Sequence, residues 1–412
     1  MFMKIATVRT IIPSQVGDLI SGYGPNFGTI AKHDELEVNG FCLDDGKSRA
    51  LFLSFDILGL DREVVLELRK RCAAALNCPP GAVLLSCTHT HGAPAYRSNA
   101  AQRRDPERTA ELIEATVSCV QGIKDDDFKE VEVFSYSNIC RANTNRRYLT
   151  PDNKCYFVPH HIQLEALANG VCDPEVGVLF FRPKDSDYAV EVFVNYAAHP
   201  LASHAPGLAG HSITADFPAE VRKYIQTAIG GHCSYFSGAA GDQFPVDSQV
   251  GELGVETIAK PLSAAVIKAC VDIRANLERY KVQNPELRSQ LVPVSGTIRP
   301  NAKNRVWCSD SDTYTMELQL VSIGSDVCMI GVPGELLGEV GLEMKWHSPY
   351  KHTWIAYNST DYVSYLCHAN AILSGGYEAR MQQFEPRTAL KLVNAAVDAM
   401  FEMCPEIKTP EW

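Results

Sequence analysis

Two stretches of the chain run from an apolar, strand-like segment straight into histidine. LLSCTHTHGAP, residues 84–94, ends on His89, Thr90 and His91. VNYAAHP, residues 194–200, ends on His199 and Pro200. On an extended segment, residues two apart face the same way, so His89 and His91 can enter one site. Imidazole is the commonest ligand for zinc and similar ions, and a second strand-end histidine points to a metal centre; for either pair alone a turn is the alternative. His204 and His211 follow in a Gly/Ala-rich loop that reads as solvated, ahead of Asp216. CSYFSGAAGDQFP, residues 233–245, sets Asp242 after a turn of small residues. Its glycines permit close backbone approach to a ligand, and its amides can hold an oxyanion. MIGVPGELLGEVG, residues 329–341, sets Glu335 just past another buried strand. There it reads as a ligand or as a first-turn carboxylate favoured by the helix dipole. AYNSTDYVSYLCHANAILSGGYEAR, residues 356–380, carries Tyr362, Tyr365 and Tyr377.

These residues need elements that aim them at one place. Residues 50–58 read as a buried strand, 61–77 as a helix capped by Asp61, and 82–88 as a second buried strand. Strand, helix, strand at that spacing is a βαβ unit with a parallel pair. In such sheets sites collect beyond the carboxyl ends of the strands, where His89 falls. Strands are further expected at 129–135, 176–182, 189–196, 232–237, 288–298, 314–323, 326–332 and 353–358. Helices are expected at 107–122, 216–229 (capped by Thr214 or Asp216), 252–276, from Glu335 onward, and at 386–403. Residues 142–162 read as a polar loop. The predicted class is α/β, with mixed β-sheets flanked by helices and residues 1–412 forming one large domain.

Composition narrows the function. Of 412 residues 46% are hydrophobic and 21% charged, and the net charge is −11. No clustered basic surface is visible, which excludes nucleic-acid binding. No window reaches the roughly 18 apolar residues of a membrane span, and MFMKIATVRTIIPSQ lacks the apolar stretch of an export signal. The 14 cysteines include no CxxC pair. Reduced cysteines used as small core residues, in a cytoplasmic protein, are expected. The expected partner is a small-molecule substrate; a homo-oligomer is left open.

Nine segments carry a resemblance in common order: GYG (22–24), THTHGAP, NTNRR, NYAAHP, ADFP, GAAGDQFP, VPGE, DYVSY and GGYEA. Together they resemble the catalytic domain of the neutral ceramidase family of zinc-dependent amidases, and especially its shorter bacterial relatives, over nearly the whole chain. The resemblance implies a zinc ion held by His89, His199, Glu335 and Tyr365, with His91 and Arg146 binding the polar end of the substrate or the oxyanion. Gly24, His211 and Tyr377 join Arg146 as expected substrate contacts. His91 is the first choice for general acid, with Asp242 and His211 behind it.

The sequence departs from that family where ceramidases place a serine before the proline of the GAAGDQFP turn. Here the position is Phe244, which excludes a serine-dependent step. The family's C-terminal immunoglobulin-like domain and export signal are also missing, so membrane ceramide is not the expected substrate. Arg97, Arg103, Arg104, Arg146 and Arg147 sit in loops with few long apolar runs. They suit a small polar substrate, sugar-derived or anionic. The expected function is a zinc-dependent hydrolase acting on an amide or related carbonyl. The alternatives are a metal-dependent glycoside hydrolase or lyase acting on a sugar derivative, and a non-catalytic binding protein. An amidohydrolase barrel places its HxH after the first strand, whereas His89 follows at least two strands. The metallo-β-lactamase pattern HxHxDH fails at Ala93 and Pro94.

Overall fold

Eight strands form the larger sheet: β1 (Met3–Ile11), β2 (Glu37–Asp44), β3 (Arg49–Phe55), β4 (Val83–Cys87), β5 (Lys129–Ile139), β6 (Glu175–Arg182), β7 (Glu191–Tyr196) and β8 (His232–Ser237), in the order β8-β7-β6-β5-β1-β2-β3-β4. A second sheet of four strands follows: β9 (Leu287–Thr297), β10 (Thr313–Ile323), β11 (Val327–Gly331) and β12 (His352–Ala356), in chain order. The computed structural model describes residues 3–22, 27–98, 102–157, 170–184, 186–203, 211–246, 251–302 and 311–407.

Period-two patterning assigns each face. In β3, Leu51, Leu53 and Phe55 pack with helices α1 (Arg62–Leu76) and α2 (Pro106–Gln121). The alternate residues Ala50 and Phe52 join Phe41, Phe181 and Phe193 in a core shared with Met329 and Trp354 of the second sheet. Helices α3 (Phe217–Ile229) and α4 (Glu252–Ala275) cover the other half of the larger sheet, α3 over β8 and α4 over β5 and β6. On the outer face of the second sheet lie α5 (Gly338–Trp346) and α6 (Arg387–Met403). The layers therefore run helices, sheet, sheet, helices. The strands β3, β4, β7 and β11, covered on both faces, are buried almost throughout and read as near-continuous apolar runs. Gly177 makes room at the sheet interface, since a Cβ there would stand 2.4 Å from Trp354 Cε2.

Most neighbouring strands are antiparallel, but β3–β4, β7–β8 and β11–β12 are parallel. Each parallel pair is joined through a helix: α1, α3 and α5 respectively. The fold thus holds three βαβ units, and the ends of all three meet. Cys87 N donates to the Tyr357 carbonyl, Tyr357 N to the Ser237 carbonyl at 3.0 Å, and Ser237 Oγ to the Thr88 carbonyl at 2.8 Å.

Three local expectations are corrected. Glu335 does not open a helix: Glu335–Leu336 is a short strand paired in parallel with Tyr365–Leu366, and α5 begins at Gly338. Residues 142–162 are not uniformly loop, because Asn143–Asn145 pairs with Gln243–Pro245 and Arg147–Leu149 with Cys155–Phe157. Asp61 stands at the N-cap of α1 without capping it. Its carboxylate instead accepts from Ser98 N and Arg104. The described cysteines are free thiols, and among the described residues no helix is long and apolar enough to cross a membrane.

Glu191 in β7 is fully buried; its Oε1 accepts from Ser234 Oγ at 2.7 Å, and its Oε2 has no hydrogen-bond partner among the described residues. Burial pushes its carboxyl up from an ordinary value of 4.5 to about 8. The unfolded chain releases this proton near 4.5 and the folded chain keeps it to about 8, so unfolding releases a proton throughout that interval. Stability therefore falls as pH climbs through it and levels beyond. Glu191→Gln is expected to flatten the slope and to gain on the order of a few kcal/mol at pH 8 relative to pH 5. Urea titrations at the two pH values check this, and a slope unchanged by the substitution refutes it.

Candidate metal centre

The convergence of strand ends gathers the chemistry. His89 lies two residues past β4, His199 three past β7 and Glu335 four past β11. All three side chains are buried. His89 is held in a left-handed backbone conformation, φ +71°, and so are Asn358 (+44°) and Ser364 (+68°) around it. Such conformations cost a non-glycine residue about 1–3 kcal/mol and gather at functional sites.

The ring nitrogens are sorted by the backbone. His89 Nδ1 lies 2.7 Å from the Leu58 carbonyl oxygen, and His199 Nδ1 lies 2.5 Å from that of Ala240. A carbonyl oxygen only accepts, so each ring carries its proton on Nδ1 and turns the Nε2 lone pair inward. Both Nε2 atoms stand 3.4 Å from the same oxygen, Glu335 Oε2. Burial pushes His199 down to about 4, toward the neutral form that binds metals. Burial pushes the Glu335 carboxyl up, but His89 and His199 beside it hold it well below the usual carboxylate range. Two imidazole lone pairs and a carboxylate facing one another in a buried site repel unless a cation sits among them. The donor set therefore fits a divalent metal.

His91 belongs to the same cluster. Its ring centroid is 5.0 Å from that of His89 and 6.0 Å from that of His199, and ligand nitrogens of the three histidines lie within 4.8 Å of one another. The Glu335 carboxylate is braced by two tyrosines: Tyr362 Oη donates to Oε1, and Tyr357 Oη donates to Oε2 at 3.2 Å. Outer-sphere bonds of this kind orient a ligand and tune the metal.

Arg146 forms the other wall. It is buried, with its Cζ 4.5 Å from the Phe244 ring centroid and 5.5 Å from those of Tyr365 and Tyr377. Its Nη2 donates to Tyr365 Oη at 2.9 Å. Burial raises the Tyr365 phenol well above its ordinary value, against the pull of Arg146. The Phe244 ring lies 4.9 Å from His199, so the aromatic that stands in the serine position is a wall of the centre.

The sequence-predicted residues divide as follows. His89, His91, His199, Glu335, Tyr365, Arg146 and Tyr377 are brought together. Asp242 is buried nearby, but its carboxylate is committed. Oδ1 accepts from Gly338 N and Gln243 Nε2, and Oδ2 from Asn145 Nδ2, each at 2.8 Å. His211 sits in a short strand, His211–Ile213, with its side chain outside the described residues. Gly24 and His204 also lie outside them. Of the five arginines expected at a ligand, Arg104 pairs with Asp61 and Glu63, and Arg147 with Glu378.

Some functional residues escaped the sequence reading. Glu378 is buried between Arg146 Nε (2.5 Å) and Arg147 Nη1 (2.6 Å). Tyr357 and Asn358 carried no signal beyond lying at a strand end. Gly22 lies against the histidine cluster. At φ +103° a Cβ on Gly22 would stand 2.3 Å from His91 Nδ1. Gly22→Ala is expected to lower turnover about a hundredfold, the cost of a misplaced reacting group, with the far-ultraviolet spectrum unchanged. Unaltered turnover would show that His91 can move without penalty.

No protein-family profile matches the sequence, and no curated protein sequence matches it either. Solved structures do match. The neutral ceramidase from Pseudomonas aeruginosa superimposes with a TM-score of 0.76 at 15% identity, covering 100% of this chain and 77% of that one. The fold is that of a neutral ceramidase. A ceramidase solved in complex with C2 gives a TM-score of 0.73 at 16% identity, again covering 100% of this chain and 77% of that chain. At these identities the neutral ceramidase likeness speaks for the fold, and the side-chain chemistry rests on the geometry above.

Proposed function

We propose that the chain is a zinc-dependent hydrolase that cleaves an amide, or a related carbonyl bond, in a small polar substrate, sugar-derived or anionic. The observation that carries the reading is the pair of backbone-pinned imidazoles sharing one oxygen of Glu335 at 3.4 Å. His89, His199 and Glu335 would hold the ion, with Tyr365 as the fourth group. Zinc bound there would supply Lewis acidity and lower the pKa of a coordinated water to about 7. The rest falls to the chain's own groups. His91 is assigned to the substrate as the general acid that protonates the leaving amine. Arg146, fixed by Glu378 and Phe244, donates toward the developing oxyanion, a contribution of about 3 kcal/mol for a well-placed donor. Phe244 and the tyrosines exclude bulk water and strengthen those interactions. Asp242 is a positioning residue that ties the Arg146 segment to the start of α5.

The neighbours named for ceramidase activity support an amide-cleaving scaffold, and Phe244 removes the serine such a step would otherwise use. Elemental analysis of the purified protein is expected to find about one zinc per chain. A screen of amides, esters, lactones and glycosides is then expected to show metal-dependent cleavage of amides. Zinc-loaded protein cleaving only glycosides, or none of the panel, overturns the hydrolase reading in favour of a glycoside enzyme or a binding protein.

A further inference from the structure

Arg97 ends the segment that begins at His89, and the fold holds that segment firmly. Ile20 bridges Pro94, Ser21 N donates to the Ala93 carbonyl, Ala95 N donates to the Leu19 carbonyl at 3.1 Å, and Tyr96 Oη donates to the Pro13 carbonyl. The Arg97 guanidinium then lies over the Tyr362 ring, its Cζ 3.7 Å from the ring centroid. Tyr362 is the tyrosine that donates to Glu335, and its ring stacks 6.0 Å from that of His89. Arg97 is therefore one ring away from the metal ligands.

Among the described residues no carboxylate forms an ion pair with Arg97. Arg97 is half-buried, and its Nε is shielded from water with no hydrogen-bond partner among the described residues. The carboxylates on the neighbouring segments have hydrogen-bond partners of their own. Asp61, which accepts from the neighbouring Ser98 N, pairs with Arg104. Asp361 accepts from Tyr314, Glu335 from Tyr357 and Tyr362, and Glu378 from Arg146 and Arg147. A partly desolvated guanidinium without a counter-charge is costly. The ring contact returns about 0.5–2 kcal/mol. Its Nε–H, part of a fork that suits oxyanions, still has no acceptor among the described residues. Arg97 also lies close enough to Tyr377 to act on its phenol, and Tyr377 is 36% exposed, so this corner opens outward.

We infer that Arg97 is a specificity-determining residue that anchors an oxyanion of the substrate, a carboxylate or a phosphate, at the mouth of the metal centre. The substrate class is then anionic: the charged group rests on Arg97 while the reacting carbonyl reaches the histidines. The inference deepens the hydrolase reading and rests on it for the position of the reacting bond, but anion binding is measured independently of turnover.

Isothermal titration of the purified, zinc-treated protein with glutarate, glycerol 3-phosphate and the neutral diamide glutaramide tests it. At least one of the two anions is expected to bind about tenfold or more tightly than the diamide; which one does so identifies carboxylate or phosphate. Arg97→Met is expected to erase that preference, and Arg97→Lys to keep most of it. Anion binding to the metal itself is common to all three proteins and cancels in the comparison. Equal binding of anions and diamide by the unaltered chain, or a preference as large in Arg97→Met as in the unaltered chain, overturns the inference. Zinc content and hydrolysis of the same samples report separately on the hydrolase reading, so the two can fail independently.

Discussion

Replacing His89 or His199 with alanine strips the zinc from the protein, whereas His91→Ala leaves it loaded and nearly inactive. The expectation follows from how the three imidazoles are held. His89 and His199 have Nδ1 fixed by the Leu58 and Ala240 carbonyls and Nε2 at 3.4 Å from Glu335 Oε2. Removing either ring leaves Glu335 facing one imidazole. Even an outer-sphere partner costs about 10–100-fold in metal affinity, and a direct ligand costs more. His91 stands beside that pair, its ring 5.0 Å from His89, and is proposed to protonate the leaving group. Loss of a general acid costs about 10²–10⁴ in turnover. Zinc-to-protein ratios by elemental analysis, with kcat for the same preparations, give the two readouts. If His91→Ala loses zinc as fully as His89→Ala, the centre is a three-histidine site and the division of labour within the HxH pair is wrong.

That division is where sequence and structure are hardest to separate. The βαβ unit from β3 to β4 could be read from its apolar runs and spacing, and from it the placing of His89 at a strand end. The same signal located His199 and Glu335 past β7 and β11. What could not be read is which way each ring turns, because carbonyls distant in sequence decide it: Leu58 is 31 residues from His89, and Ala240 is 41 from His199. Glu335 was misread as a helix start for a related reason. Its strand partner, Tyr365, is supplied by a distant segment, and no local pattern announces a two-residue strand. Asp61 and Asp242 fail in the opposite sense. Each carries a sound local motif, an N-cap and a turn carboxylate. Each is drawn instead to donors brought in by the tertiary fold. Local chemistry names the candidates, and long-range hydrogen bonds assign them.

Glu378 extends that argument to the second large effect. NTNRR places two adjacent arginines in what reads as a polar loop, yet both are buried, and the carboxylate that answers them comes from more than 200 residues away. Glu378→Gln keeps the shape and removes the charge. Two buried guanidiniums then share an amide that can accept at only one atom. Breaking a buried pair from one side typically costs about 3–5 kcal/mol, because the remaining charge stays buried. Arg147 retains the carbonyls of Ala371 and Gly375, each at 2.9 Å. Arg146 retains Tyr365 Oη and the face of Phe244 but loses the carboxylate at its Nε, so the proposed oxyanion donor is displaced. The loss is therefore expected twice: about 3–5 kcal/mol in urea unfolding at constant m, and about 10²-fold or more in kcat with zinc content unchanged. Arg147→Met is expected to destabilise too, and the double variant to cost less than the sum of the single changes, since the partners share one network. A stability change below about 1 kcal/mol, the range of a solvent-exposed ion pair, would mean that water reaches Glu378 and would overturn the buried network.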